Sequence, residues 1–473
     1  MTSGAAFLRL TSGILLIAVV GLSPMPLASN RDWAWSPLTM AVGTSLVAYG
    51  MSNALSGPCR RILSPSLIVS MVAMSCVMAW GLLQIKPALG GAHLESFLAS
   101  AHSALGVDVA NSNSIDEERA LTGVMRLATY AGIFWLATEF GQERRYAKTV
   151  CIALLCSAVL ITLYGWAMET TVRSCIALTV VKRDFSSGDP CTLSGTFVNS
   201  SNYADFAALA GLFCLASLHD LILQARGSAR GSRARWRARL MILTGSGSPY
   251  LAALLLLLGS VVYTTSRAGL ASFVTAGVIM TILVAAAHRA RIGTIVSSTV
   301  GLMLLATIVV IFGGGTVLQR SIGLLTEGDS DRVHLFALTA EAISVRPWTG
   351  WGLGSFEPLY PVLQPTAVWL NFDKAHNTYL ENALDLGIPV SLLLILAIAA
   401  PAWQCLKGLR ERQRDTQFAA TAVGATILIA VHSIVDFGIQ IPAVAVTYSA
   451  LLGVGWAQSW SSRHFADPNA NRP

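Results

Sequence analysis

The sequence predicts an all-α polytopic membrane protein, and three observations carry that prediction. Apolar residues make up 54% of the 473 residues and charged ones only 12%, about half the charged share of a soluble domain, so this chain cannot build a water-facing surface throughout. The apolar residues run in stretches of about 20, long enough to cross about 30 Å of hydrocarbon as helices, and strand-like alternation is absent. Although the formal net charge is +7, Lys and Arg fall in short clusters between those stretches and not along one basic face.

About twelve spans follow, at 8–27, 34–54, 63–83, 119–140, 149–168, 203–224, 243–265, 267–287, 293–313, 378–403, 417–437 and 441–458. Every backbone polar group inside them has to be bonded within its own segment, which selects helices. The first span, with Arg9 ahead of Gly13 to Leu22 and small residues near Ala28, is read as uncleaved. A cleaved signal peptide is the alternative, and it gives the same later topology. Residues 1–202 then form a group of transmembrane helices with two outer loops, 203–458 a transmembrane core that includes a large loop at 314–377, and 459–473 a tail.

Most of the 32 Lys and Arg lie on one set of short loops: Arg9, Arg60 and Arg61, Arg144 to Lys148, Arg226 to Arg239, Arg289 and Arg291, Lys407 to Arg414, and Arg463 with Arg472. The positive-inside rule places that set, and both termini, in the cytoplasm. The Arg226 to Arg239 stretch is read as meeting anionic lipid and not nucleic acid. There is no Walker loop, dinucleotide fingerprint or internal repeat, which disfavours an ATP-driven pump.

The other side carries the long hydrophilic stretches 84–118, 169–202 and 314–377, and loops of that length are commonly functional. In the last, Trp348, Trp351, Phe356, Tyr360 and Trp369 suit short surface helices lying at the membrane interface. Cys59, Cys76, Cys151, Cys156, Cys214 and Cys405 read as small packing residues. Cys175 and Cys191 share one outer loop and are expected to pair, with two free thiols the alternative. No metal-ligand spacing occurs.

Charges in or at the ends of spans mark a site or a buried pair. Arg267, in Thr264-Thr265-Ser266-Arg267-Ala268-Gly269, sits at a tight turn between two spans, and its planar, always-charged fork suits phosphate oxygens. Snorkelling to headgroups is the alternative. Arg332, in Asp329-Ser330-Asp331-Arg332, precedes a helix-like stretch reaching Val345, with salt bridges to the aspartates as the bland reading. His376, at the mouth of an apolar span, has a side chain type that titrates near neutrality and can take a proton from a hydroxyl. A His that merely caps the helix is the alternative. Glu381, five residues on, would lie about 140° around a helix from it and need not touch. Arg126 in the fourth span and Asp436 in the eleventh are further candidates. His432 shares a face with Asp436 four residues on, so a structural pair is the competing reading.

The segments Arg346-Pro347-Trp348-Thr349-Gly350-Trp351-Gly352-Leu353-Gly354-Ser355-Phe356, then Tyr360, Ala375-His376-Asn377-Thr378-Tyr379-Leu380-Glu381 and Gly387 resemble the signature of the O-antigen ligase and polymerase superfamily. Gly195-Thr196-Phe197-Val198-Asn199, Ser266-Arg267-Ala268-Gly269 and His432-Ser433-Ile434-Val435-Asp436-Phe437 with Pro442 extend the resemblance, in family order, over about the last 280 residues. Ser200-Ser201-Asn202-Tyr203 departs from the family pattern of Pro-Asn followed by His.

The resemblance implies a membrane fold of the lipid-dependent glycosyltransferase type in the bacterial inner membrane, acting on its periplasmic face. It implies an enzyme that needs no metal or other cofactor and moves a glycan from undecaprenyl diphosphate to a sugar hydroxyl. The acceptor is lipid A core for a ligase or a second carrier-linked chain for a polymerase, and both remain open. By motif, Arg267 and Arg332 hold the diphosphate and His376 acts on the acceptor hydroxyl; Asn199, Asn377, Tyr379 and Asp436, in the matching segments, and Arg126, from its intramembrane charge alone, are further candidate substrate contacts. The partners implied are the carrier-linked glycan, its acceptor and membrane lipid, with no nucleic acid. A transporter or flippase is the more distant alternative. It is disfavoured because the candidates cluster at one membrane face and not at the midplane.

Overall fold

The computed structural model describes residues 3–56, 64–85, 114–171, 175–177, 180–182, 193–226, 232–288, 330–364, 372–412 and 414–460. In chain order its helices are α1 (Ser3–Leu22), α2 (Asp32–Ser56), α3 (Pro65–Gln84), α4 (Glu117–Gly141), α5 (Arg144–Thr171), α6 (Ser200–Arg226), α7 (Ser232–Thr244) and α8 (Ser248–Tyr263). They continue with α9 (Arg267–Ala287), α10 (Ser330–Val345), α11 (Phe356–Leu363), α12 (Thr378–Leu386), α13 (Ile388–Glu411), α14 (Gln417–His432) and α15 (Pro442–Ala457). One antiparallel hairpin interrupts the helical pattern: β1 (Cys175–Ala177) paired with β2 (Val180–Lys182).

Seven of these helices are long and apolar enough to cross a membrane, while α8, α14 and α15 are apolar but shorter. The protein is an all-α multi-pass membrane protein, as its composition predicts. The expected span 293–313 and the Cys175–Cys191 pairing fall outside the described residues or side chains. Of the packing cysteines, Cys151, Cys214 and Cys405 are buried, while Cys76 and Cys156 are exposed on the bundle.

Local chemistry sets the helix starts. Ser64 accepts the Leu67 N–H ahead of Pro65, Asp116 accepts the Arg119 N–H ahead of Glu117 and Glu118, and Ser266 accepts the Gly269 N–H. Each satisfies a donor that the first turn leaves free. At the centre, α6 is buried from Asn202 to Leu218 without a break. A helix that apolar and enclosed on every side must sit inside the bundle.

Three expectations need correcting. The span predicted at 378–403 breaks at Gly387 into α12 and α13, because Gly387 takes a φ of +79°. The span predicted at 417–437 ends as a helix at His432, where the Ser433 carbonyl accepts the Thr378 N–H instead of continuing the helix. Part of the Arg226 to Arg239 connection is helical, as α7.

The helix ends sort into two sets. At one end Arg9 meets Glu143 at 3.4 Å, Arg144 meets Asp415 at 2.7 Å, and Arg412 donates to the Gln458 carbonyl at 2.7 Å. At the other, Thr196 donates to the Pro24 carbonyl and Ser201 to Ser266. Arg267, His376 and Asp436 all sit at this second end, opposite that network of basic residues.

The large loop does form short helices, α10 and α11, but of its described aromatics Phe356 and Tyr360 are buried and not presented to a membrane. Phe356 and Tyr360, each 2% exposed, pack with Leu335, Ala342, Ile343, Leu359, Ala375 and Leu384 in a small core of their own. Of the five aromatics expected at an interface, Trp348 is well exposed at 73%. Trp351 is half-buried, its Nε1 donating to the Ala342 carbonyl and its ring under the Arg346 guanidinium. Trp369 lies outside the described residues. Burying these rings on one another is worth more to a loop this long than laying each on lipid, since it gives the loop its own core.

The Arg346 to Ser355 motif is the cradle of the α12–α13 break. Trp351 N–H donates to the Leu384 carbonyl, Gly352 N–H to the Asp385 carbonyl and Ile388 N–H to the Pro347 carbonyl. Gly350 (φ +68°) and Gly387 approach so closely that a Cβ on Gly350 would meet the Asp385 carbonyl and lie 2.5 Å from the Gly387 nitrogen. Side-chain donors from α3 finish the junction: Gln84 Nε2 bonds the carbonyls of Thr349 and Asp385, and Trp80 bonds that of Leu386.

Inside the junction, Asp385 is buried. Burial, reinforced by the neighbouring Glu381, pushes its carboxyl up to about 8, against the opposing pull of the Gly354 and Ser355 N–H groups and Lys374. Its Oδ2 accepts the Gly354 N–H at 2.8 Å, while Oδ1 has no hydrogen-bond partner.

Gly387→Ala forces a methyl group into left-handed backbone, costing about 1–3 kcal/mol before any clash with Trp348. Its thermal midpoint in detergent is expected to fall well below wild type. Asp385 supplies a second test. Its folded-state value is raised above the unfolded one, so its contribution to stability is full below about pH 4 and is lost as pH rises through about 8. Asp385→Asn mimics the protonated acid. Its thermal midpoint should depend less on pH across that window than the wild type's, and an unchanged pH dependence would refute the assignment.

Candidate active site

Four segments that are far apart in sequence converge at the second set of helix ends. α6 contributes Asn199 just before its first turn and Asp205 just after it; the α8–α9 turn contributes Arg267. α10 contributes Arg332, and the His376 segment faces the turn after α14. The α9 turn is tied to α6 by the 3.0 Å bond from Ser201 Oγ to Ser266 Oγ.

His376 does not belong to a helix. Asn377 is the cap of α12, its Oδ1 accepting the N–H groups of Tyr379 and Leu380 at 3.0 Å each. The capping role that is the alternative for His376 therefore falls to its neighbour and leaves the imidazole free of it. His376 takes φ +50° and Thr265, two residues before Arg267, φ +57°. Left-handed backbone is uncommon outside glycine, costs of order 1–3 kcal/mol, and persists where surrounding structure holds it. Around His376 the hold is visible. Glu381 accepts the Ala375 N–H at 3.0 Å and pairs with Lys374 at 3.0 Å, fixing the two residues ahead of it. Burial works against the Lys374 charge, but Glu381, Asp385 and Asp373 outweigh it and hold the ammonium above its ordinary value. Glu381 thus reaches back to the segment without touching the His376 ring.

The imidazole sits edge-on to two rings, with centroids 6.1 Å from Phe372 and 4.9 Å from Phe437. Its Nδ1 lies 3.4 Å from Asp436 Oδ1. Burial opposes ionisation of Asp436. His376, His432 and the Phe437 N–H, which donates to Oδ1 at 2.8 Å, outweigh it and hold the carboxyl below its ordinary value. Asp436 and Thr378 are joined through the Thr378 hydroxyl, which donates to the Asp436 carbonyl at 3.0 Å.

Arg332 joins this cluster: its Nη1 donates to the Val435 carbonyl at 3.5 Å, one residue from Asp436. The aspartates at 329 and 331, the partners in the salt-bridge alternative, lie outside the described side chains. Arg267 is exposed at the start of α9, where its side chain can reach solvent and lipid.

The other expected contacts divide. Asn199 Oδ1 accepts the Ser201 N–H at 2.7 Å, and Tyr379 donates to the Ala430 carbonyl at 2.9 Å. Asn199 and Asn377 thus brace local turns, while Tyr379 ties α12 to α14. Arg126 faces α2, its guanidinium 5.2 Å from the Trp35 ring centroid and its Nε buried without a hydrogen-bond partner. Its contacts do not join it to His376.

His432 pairs less with Asp436 than with a residue the sequence reading passed over. Its Nδ1 is 2.7 Å from Asp205 Oδ1, while its Nε2 is 3.8 Å from Asp436 Oδ2. The available signal was an acidic residue five positions into an apolar span, and a charge there is expensive unless paired. Gly438 packs directly on the Asp205 carboxylate, with no room for a Cβ.

Among the described residues no cluster of three or more His, Cys, Asp or Glu is arranged to hold a metal ion. No curated protein matches this chain. Residues 252–395, which include Arg267, Arg332, His376, Asn377 and Tyr379, match the family model described as O-antigen ligase. The motif resemblance and this match coincide on α8 to α13, where the chain is similar to the O-antigen ligase family.

Proposed function

We propose that this protein is a membrane glycosyltransferase that moves a glycan from undecaprenyl diphosphate to a sugar hydroxyl, in the manner of an O-antigen ligase. The observation that carries the reading is His376 held on left-handed backbone, with Nδ1 toward Asp436 and the Arg332 guanidinium beside the same turn.

A proton on Nδ1 facing Asp436 leaves Nε2 as the acceptor, the arrangement by which a carboxylate orients a general base. In the reaction, the acceptor hydroxyl oxygen bonds to the anomeric carbon and its proton passes to His376 Nε2. The bond from that carbon to the diphosphate oxygen breaks, and the diphosphate leaves with the electron pair. Negative charge grows on the leaving oxygens, where the fixed cations of Arg332 and Arg267 stabilise it more than water would. This reading needs no metal ion. Asp436, negative at neutral pH, stabilises the imidazolium that forms. The site faces the periplasm and the basic loops face the cytoplasm, in keeping with the separation of Arg9, Arg144 and Arg412 from His376.

His376→Ala should lower transfer by about 10²- to 10⁴-fold and leave carrier-glycan binding near wild type. Arg267→Lys and Arg332→Lys keep the charge and lose the two-pronged contact, so each should lower turnover by about 10- to 100-fold. Single-turnover assays with defined carrier-linked glycan measure both effects, and wild-type rates in all three variants would refute the site. Product analysis in the same assay separates the acceptors: glycan on lipid A core marks a ligase, and a lengthened carrier-linked chain marks a polymerase.

Sidedness has its own test. Cysteine placed at Gln364 should react with an impermeant maleimide from the periplasmic side, and one at Gly231 only after the membrane is opened. The reverse pattern would overturn the topology and the periplasmic site with it.

A further inference from the structure

Two buried ionisable groups beside the site have no part in the transfer described above. Asp205 and His432 are each 1% exposed. With Asp436 and His376 they form a line in which the Asp205–His432 contact is a hydrogen bond and the other two are charge contacts, His432 Nε2 and His376 Nδ1 having no hydrogen-bond partner. From Asp205 Oδ1 to His432 Nδ1 is 2.7 Å, from His432 Nε2 to Asp436 Oδ2 is 3.8 Å, and from Asp436 Oδ1 to His376 Nδ1 is 3.4 Å. Carboxylate and imidazole alternate from the core of α6 to the site.

We propose that Asp205 and His432 are positioning residues for His376, acting through Asp436: they turn a second imidazole onto the carboxylate that orients His376 and so set the pH at which His376 becomes available as a base. The proposal rests on the reading of His376 as that base.

The physical argument starts with Asp205. It cannot swing away, because Gly438 packs on its carboxylate, and it claims a proton on His432 Nδ1. When His432 carries a proton on Nε2 as well, it bonds Asp205 and sets a positive charge 3.8 Å from Asp436, which offsets part of the cost of burying the two carboxylates. The charged groups that face His432 are Asp205 from α6, Asp436 from the turn beyond its own helix and Arg332 from α10, with His376 beyond Asp436. The Asp205–His432 pair is neutral as a whole but turns its positive end toward Asp436. That end competes with His376 for the Asp436 charge. Taking it away leaves Asp436 to act on His376 alone, and an uncompeted carboxylate favours the protonated imidazole.

Two variants remove the positive end: Asp205→Asn, which withdraws the partner of the second proton, and His432→Gln, which withdraws the imidazole. The readout is the rate at which diethylpyrocarbonate modifies His376, followed peptide by peptide in the full-length protein between about pH 5 and pH 8. The reagent reacts with neutral imidazole, and this measurement needs no turnover. In both variants the pH of half-maximal modification is expected to rise by about half a unit to one unit, with the acid limb of the transfer rate moving by the same amount. A midpoint that stays in place in either folded variant overturns the proposal, and so does failure of both to accumulate as folded protein, which would make the pair purely structural. A wild-type protein that transfers no glycan, with midpoints that still move, would refute the glycosyltransferase reading and leave the positioning line standing.

Discussion

An ionisable group buried in a helix bundle has to find a partner, because leaving water costs several kcal/mol that only pairing offsets. That constraint organises this protein around Asp205. It lies near the start of α6, a helix enclosed from Asn202 to Leu218, and meets His432 at the end of α14. The pairing fixes how far α14 can run before the chain turns and where Asp436 emerges. It also fixes what Asp436 faces, which is His376. The small hydrophobic core of α10, α11 and α12 then closes over the other side of His376, with Ala375 built into that core.

The family-like motif from Arg346 to Ser355 does a different job from the one a list of candidate residues suggests. Its backbone N–H groups and left-handed glycines hold the break between α12 and α13, and its carbonyls take bonds from Gln84 on α3. With the break fixed, α12 points its capped start at the turn after α14. The neighbouring cluster of half-buried Lys374 with buried Glu381 and Asp385 anchors the same segment from beneath. His376 is thereby held in an unfavourable backbone conformation by contacts on three sides: the Glu381 clamp, the edges of Phe372 and Phe437, and Asp436.

Charge separates the two ends of the bundle. The basic residues that pair at one end, Arg9, Arg144 and Arg412, use Glu143, Asp415 and Gln458 as partners. At the other end Arg332 lies near the start of α10 with its guanidinium beside the turn that carries Asp436, and Arg267 starts α9 at the same end, an arrangement suited to an anionic group and a proton acceptor.

Much of this was legible in the chain itself, for reasons of solvent. Long apolar runs in a low-dielectric medium must be helical, so composition alone determined the fold class and most span positions. The arginines and His376 were legible because charge at the end of an apolar run is costly enough to be conspicuous. What only the tertiary structure decided is which of those groups meet. Asp205 pairs with His432 across 227 residues of sequence, and no local pattern encodes a contact between two helices that distant. Arg126, equally conspicuous as an intramembrane charge, turned to Trp35 instead, while Asn377 caps α12 and Tyr379 ties that helix to α14. The aromatics of the large loop read as interfacial because hydrophobicity does not say what will cover it. Packing chose a private core, since rings bury more surface against one another than a single amphipathic face gives to lipid.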